Sequence, residues 1–235
     1  MIMVHNTKVA KRRGRPQIRP DEETRRLVID AARQEFHANG YAGASMARVA
    51  ERAGVSTKTM YRLIPTKEEL FGSVISERIS RYMLELDEEH LDMLPLERAL
   101  EHILFTYGTL TLDEDTVLSL RLVFAECDRF PEIAAAFSEL AIRRTTESME
   151  AWLKRQLDRR EIEIDDPSTA IGMLRGMMIM EPQRAVMLGQ RRPPDRAEIA
   201  GRARYCARLF LDGCRPRRFS GQETTGSEQR LGPPR

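Results

Sequence analysis

Ser45–Leu70 reads SMARVAERAGVSTKTMYRLIPTKEEL, and the fold turns on this stretch. Val49, Ala53, Val55, Met60 and Leu63 supply the apolar positions of two short helices, about 46–52 and 56–63. Gly54 falls where the chain must reverse, and glycine reaches positive φ without steric cost. Ser45 and Ser56 each stand one residue ahead of a helical run, the N-cap position. Two short helices across a tight turn form a helix-turn-helix, whose second helix enters the major groove of DNA.

Working outward, Pro20 and Asp21 start a helix over roughly 21–39, with Val28, Ile29, Ala32 and Phe36 as its buried stripe. Asn39-Gly40 suits a left-handed end to it. Thr66-Lys67-Glu68-Glu69 is a capping box. The helix it opens is long, because Phe71, Val74, Ile75, Ile79, Tyr82 and Leu86 keep a helical period. Beyond it, helices are expected from Pro95 to about Thr111, Asp113 to about Asp128 and Pro131 to about Arg159. Two more open at Asp165-Asp166-Pro167 and at Pro194-Asp195, since proline and acids favour helix N-termini. Pro182 should kink or end the first of these two. The fold class is all-α: a three-helix helix-turn-helix DNA-binding domain plus a helical-bundle domain, to which the resemblance given below assigns regulation and dimerisation.

Charge is unevenly spread. Residues 1–71 hold 14 Lys/Arg against 8 Asp/Glu, and residues 72–235 hold 24 against 28, so a basic front precedes a mildly acidic body. Such a front suits a polyanion partner. Residues 1–19 carry six cations and no acid, and read as a basic disordered arm. Within it Arg13-Gly14-Arg15-Pro16 resembles an AT-hook core, which places Arg13 and Arg15 in an A·T-rich minor groove or leaves them as a phosphate tether. Residues 215–235, rich in Arg, Pro, Gly, Ser and Thr, read as a disordered tail. Between them the boundaries are 20–71 for the DNA-binding domain and 72–214 for the helical body.

A close resemblance adds to this reading. Thr24-Arg25, Ile29, Ala31-Ala32, Phe36, Gly40-Tyr41, Ser45-Met46, Ala50, Ala53-Gly54-Val55-Ser56, Thr59-Met60-Tyr61 and Lys67-Glu68-Glu69-Leu70 resemble the amino-terminal domain of TetR-type regulators. RLVFAECDRFPEIAAAFS at Arg121–Ser138 and RLFLDG at Arg208–Gly213 are similar to the carboxy-terminal domain of an AcrR/AefR-like branch. The resemblance implies a homodimeric transcriptional regulator, a repressor released by a small-molecule effector, on a quasi-palindromic operator. The alternatives are a regulator without effector, controlled by abundance or a protein partner, and a helical bundle of other function that only resembles the family.

Candidate residues follow. Thr57, Lys58, Tyr61 and Arg62 lie off the apolar side of the second short helix, beside Ser56 and Thr59, and are available to a groove. The resemblance assigns Tyr61 a phosphate contact. Ser45, Arg48 and Lys67, at helix starts, are further phosphate candidates. For an effector, elimination leaves Phe105, Leu122, Glu126, Phe137, Met149, Trp152 and Met173, with Glu126 either facing a ligand or a solvated charge. For a dimer, the helix 168–190 is apolar nearly all round and 196–214 carries a stripe, so Met177, Met180, Cys206 and Phe210 are expected at the interface.

Other chemistries find no support in the pattern. Cys127, Cys206 and Cys214 are scattered without metal-ligand or disulfide spacing, the four histidines are isolated, and no phosphate loop is present. No cofactor and no catalytic group is expected. No run has membrane length and no signal-peptide core opens the chain, so a reducing cytoplasm is the expected compartment.

Overall fold

The computed structural model describes residues 20–214, and the expectations for the arm 1–19, with Arg13 and Arg15, and for the tail 215–235 lie outside the described residues. Eleven α-helices are described: α1 (Asp21–Gly43), α2 (Met46–Ala53), α3 (Thr57–Leu63), α4 (Lys67–Glu85), α5 (Glu88–Met93), α6 (Leu96–Thr111), α7 (Glu114–Glu126), α8 (Pro131–Phe137), α9 (Arg144–Asp158), α10 (Pro167–Met187) and α11 (Arg196–Cys214). A π-helical turn, Ser138–Arg143, joins α8 to α9, so the expected helix from Pro131 carries one wide turn in its middle. The short helix α5 was not foreseen: Asp87 caps it by accepting from Glu89 N at 3.1 Å, and buried Leu91 anchors it.

Local chemistry explains the ends. Gly54 adopts φ 68° and ψ 33° and closes α2 in the left-handed conformation. Ser56 Oγ accepts from Thr59 N at 3.1 Å, and Thr66 Oγ1 from Glu69 N at 3.0 Å, as the caps of α3 and α4. Ser45 differs from expectation: its backbone is extended but its side chain makes no cap hydrogen bond, and its N–H donates to Glu35 Oε1 at 3.3 Å. Asp195 and Glu198 cap α11 reciprocally, at 2.9 and 2.8 Å.

Helix α1 breaks at Gly40 (φ 67°, ψ 178°), as the Asn39-Gly40 pair predicts, but a further turn follows to Gly43. That turn starts on a carboxylate from the body: Glu126 accepts from Tyr41 N at 2.7 Å and from Ala42 N at 2.8 Å. A Cβ on residue 40 would stand 2.6 Å from Glu126 Oε1, so both φ and space require glycine there.

Pro182 neither ends α10 nor stays at its surface: it is buried, and the helix runs on to Met187. Proline lacks the N–H that Met178 O would accept. Arg202 of α11 supplies the donor instead, with Nε 2.8 Å from Met178 O and Nη2 2.8 Å from Met177 O.

Two apolar cores run through the chain. One gathers α1–α4 around Val28, Phe36, Met60, Leu70 and Phe71, and takes in Leu122 and Val123 of α7 and Ile133 of α8. Phe36, Tyr41, Phe71 and Phe130 form an aromatic cluster in it, with ring centroids 5.1–5.8 Å apart. The other core packs α6 against α10 and α11 around Leu104, Tyr107, Trp152, Leu174 and Leu211. The helix-turn-helix unit is thus bolted to the body through α7 and α8 as well as through α4.

Candidate functional site

Helix α3 presents Thr57, Lys58, Tyr61 and Arg62 to solvent, while Met60 is fully buried beneath them and Leu63 half-buried. Burying Met60 contributes about 1.5–3 kcal/mol to seating the helix. Thr59 turns inward enough for its hydroxyl to meet Ser56 Oγ at 2.9 Å, so these two hold the helix start. Arg62 is gripped by Asp21 of α1, Nη1 and Nη2 lying 2.8 and 2.7 Å from its two oxygens. Thr57, Lys58 and Tyr61 therefore form the open part of the face.

The helix-start cations are partly engaged. Arg48 Nε donates to Glu35 Oε1 at 2.6 Å and its Nη2 to Gly43 O, so Arg48 staples α2 to α1. Glu35 has no exposed surface. Burial pushes its carboxyl up, but the Arg48 hydrogen bond, the Ser45 N–H and the Arg48 and Arg52 charges outweigh this and hold it below its ordinary range. Lys67 Nζ donates to Ala44 O at 3.1 Å and lies 4.7 Å from the Tyr41 ring centroid, closing the end of α1. Burial lowers its pKa, opposed by the charges of Glu126 and Glu132.

A second feature is a cavity of about 240 Å³ walled by α4, α6, α7, α8, the π-helical turn, α9 and α10. Its surface is mostly apolar, from Ile75, Ile79, Leu110, Leu120, Phe137 and Ile179. Phe124 and Ile142 also line it and stay 64% and 45% exposed, so it opens between α7 and the π-helical turn. Of the seven residues expected around an effector, Phe137 alone is in its wall. Met149 and Trp152 are packed in the body core, Leu122 in the core beneath α1–α4, and Phe105 is half-buried against the body core. Met173 faces outward on α10, 66% exposed. Glu126 does not line the cavity: it is half-buried, and its carboxylate accepts from the N–H groups of Tyr41 and Ala42.

A charge network links cavity to head. Arg78, in the cavity wall, is bonded to Asp113 and lies 3.4 Å from Asp115. Asp115 also pairs with Arg33 of α1. His37 of α1 lies 3.3 Å from Ser119 Oγ and 3.7 Å from Asp115 Oδ1. Burial lowers the His37 pKa against the pull of Asp115, assisted by the Arg33 and Arg78 charges. The visible signal for these residues was a charge inside an apolar stripe: Glu35 beside Ala31, Ala32 and Phe36, and Arg78 between Ile75 and Ile79.

Of the expected interface residues, Met177 and Met180 are exposed on α10, whereas Cys206 and Phe210 are buried in the chain's own core against α6. The stripe they belong to faces inward, and one residue back along α11 Tyr205 and Leu209 face out.

Among the described residues no helix is long and apolar enough to cross a membrane. Residues 28–74 match the sequence model described as bacterial regulatory proteins, tetR family, and residues 98–213 match that of the AefR-like transcriptional repressor, C-terminal domain. HTH-type transcriptional regulator YhgD of Bacillus subtilis (strain 168), itself uncharacterized, is 29% identical over 83 residues, 35% of this chain and 44% of that relative, so less than half of the relative's length is matched. A solved structure from Mesorhizobium loti MAFF303099, described as a TetR-family transcriptional regulator, superposes with TM-score 0.72 at 27% identity, over 83% of this chain and 98% of that one. The flavonoid-responsive regulator FrrA superposes with TM-score 0.65 at 27% identity, over 83% of this chain and 99% of that one. With both halves matched and the helix-turn-helix in place, the chain belongs to the TetR family of DNA-binding transcriptional regulators.

Proposed function

We propose that this protein is a homodimeric repressor that leaves its operator when a small molecule fills the body cavity. Residues 20–71 act as the DNA head and 72–214 as the effector and dimerisation body. The observation that carries the reading is the connection between the two. Arg78 touches the cavity and holds Asp113 and Asp115, and Asp115 holds Arg33 on the first helix of the head. A ligand that prefers one arrangement of this network changes head spacing and so DNA affinity, which is linkage. The name of the flavonoid-responsive relative supports an effector of this kind.

On the head, Thr57 and Lys58 read base edges and Tyr61 bonds a phosphate, with Ser45 and Ser56 at the two helix starts. Arg48, Arg62 and Lys67 first hold the head together and reach phosphates with the donors left over. Thr59 supports Ser56 rather than the DNA. The dimer forms through the outward faces of α10 and α11, Met173, Met177 and Met180 with Tyr205 and Leu209. Two heads then meet the halves of a quasi-palindrome. The arm 1–19, with Arg13 and Arg15, follows a minor groove beside each half-site, and the protein works in the cytoplasm.

The test is a mobility-shift titration on the DNA upstream of the protein's own coding region. Thr57→Ala or Lys58→Ala should change sequence preference by about 1–3 kcal/mol where the side chain makes a good base contact. Tyr61→Phe should weaken all sites alike. Wild-type affinity in all three variants removes α3 from the interface and ends this reading.

A further inference from the structure

Two guanidinium groups line the cavity, and only one is neutralised. Arg78 has Asp113 and Asp115. Arg175, on α10, is half-buried and has only neutral partners: its Nε donates to Tyr107 Oη at 2.9 Å and its Nη1 to Thr146 Oγ1. Its guanidinium also lies 5.2 Å from the Tyr107 ring centroid. Among the described residues no carboxylate pairs with it.

A charge set in an apolar wall is costly unless a counter-charge meets it. Hydrogen bonds to the hydroxyls of Tyr107 and Thr146 do not by themselves call for a full charge here. Its neighbours Ile171, Leu174 and Met178 face the body core, and a methionine at 175 would continue that surface. Tyr107 is itself almost wholly buried, and its hydroxyl fixes the guanidinium plane without neutralising it. Nη2 takes part in neither bond, so this cavity-lining fork keeps donors for a carboxylate, which can accept two parallel bonds from it. Elsewhere in the wall Ile79, Leu120, Phe124, Phe137 and Ile142 offer hydrocarbon.

We propose that the effector is an apolar organic carboxylate, its anionic group on Arg175 and its hydrocarbon or aryl part against α4, α7 and the π-helical turn. This rests on the cavity being the effector site. A neutral ligand of equal size leaves the Arg175 charge without a counter-ion and binds more weakly.

Calorimetric titration of the full-length protein at pH 7 tests it, with decanoate and 2-naphthoate as probes and decanamide and 2-naphthamide as their neutral counterparts. Each carboxylate is expected to bind at least tenfold more tightly than its amide. Arg175→Met should bring that ratio close to one, and Arg175→Lys should keep part of it. Equal binding of acid and amide by wild type overturns the proposal, whether or not Arg175→Met folds. A wild-type ratio retained in Arg175→Met, or binding of none of the four probes at millimolar concentration, overturns it too. Ala141→Trp, which fills the cavity, separates the two readings. If it abolishes binding while acid and amide bind wild type alike, the cavity stands and the anion site falls. If carboxylates bind it as they bind wild type, the cavity itself is the wrong place.

Discussion

Replacing Glu35 by glutamine removes one charge from the most enclosed polar point of the head. The carboxylate has no exposed surface, receives Arg48 Nε at 2.6 Å and Ser45 N at 3.3 Å, and has Arg52 Nη2 3.7 Å away. Breaking a fully buried ion pair costs about 3–5 kcal/mol, and an exposed pair is worth only about 0.2–1 kcal/mol. Here the acid is buried, but Arg48 and Arg52 are 50% and 45% exposed and return to water when it is gone. Glutamine also keeps an acceptor for Arg48. The expected loss is therefore intermediate, about 1–2 kcal/mol at pH 7, which at a urea slope of roughly 1–3 kcal/mol/M lowers the midpoint by about 0.3–2 M. In a double-mutant cycle with Arg48→Met, about 1 kcal/mol should appear as coupling. The sign with pH follows from the lowered carboxyl. Its contribution is fully present above the ordinary value of 4.5 and is lost as pH falls through the lower folded value, so the gap between wild type and variant narrows in acid. Carboxylates shared by both proteins cancel in that difference. Urea titrations at fixed protein concentration, at pH 7 and pH 4, read it directly. Equal midpoints at pH 7, or a gap that does not narrow, would refute an ionised Glu35 as the staple between α1 and α2.

Gly108→Ala should cost about 1–3 kcal/mol, because a Cβ there would press on the Met178 side chain and stand 2.9 Å from Ile199 Cγ2 where α6 crosses α10 and α11; an unchanged urea midpoint would deny that close approach. Arg202→Met should cost about 1–3 kcal/mol by stranding the Met178 carbonyl, and less in a Pro182→Ala background, where the helix can bond Met178 O itself. A loss equal in both backgrounds would assign Arg202 another role. Met180→Glu should leave the far-ultraviolet circular dichroism intact, since the side chain is 62% exposed in the single chain, yet sediment as monomer where wild type sediments as dimer. A dimer of wild-type strength would move the interface off α10.

How much was legible from the sequence depended on how far away each residue's partner lay. Gly54, Ser56 and Thr66 act on backbone three or four residues off, so their chemistry could be read in place. Glu126 could not be read this way. It caps a turn 84 and 85 residues earlier in the chain, and nothing around it marks it as a cap rather than a solvated or ligand-facing acid. Periodicity carries the same limit. It identified the stripe of Cys206 and Phe210 as apolar, but a stripe does not say whether its own chain or a second copy covers it. Here α6 does, and the outward face is turned by one residue.

The cavity was least legible, and for a reason that bears on its use. Seven elements contribute to it, and none is apolar for the cavity's sake alone: Ile75 and Ile79 also seat α4 in the head core, and Tyr107 seats α6 in the body core. Large apolar residues drew the sequence reading to Trp152 and Met149, yet size and apolarity are what a closed core requires, and that is where both lie. A more specific signal was a charge where the stripe calls for hydrocarbon, since such a group needs a partner from elsewhere. Glu35, Arg78 and Arg175 share that signal. The structure supplies carboxylate or guanidinium partners for the first two from within the chain, and for the third it supplies two hydroxyls and an open cavity.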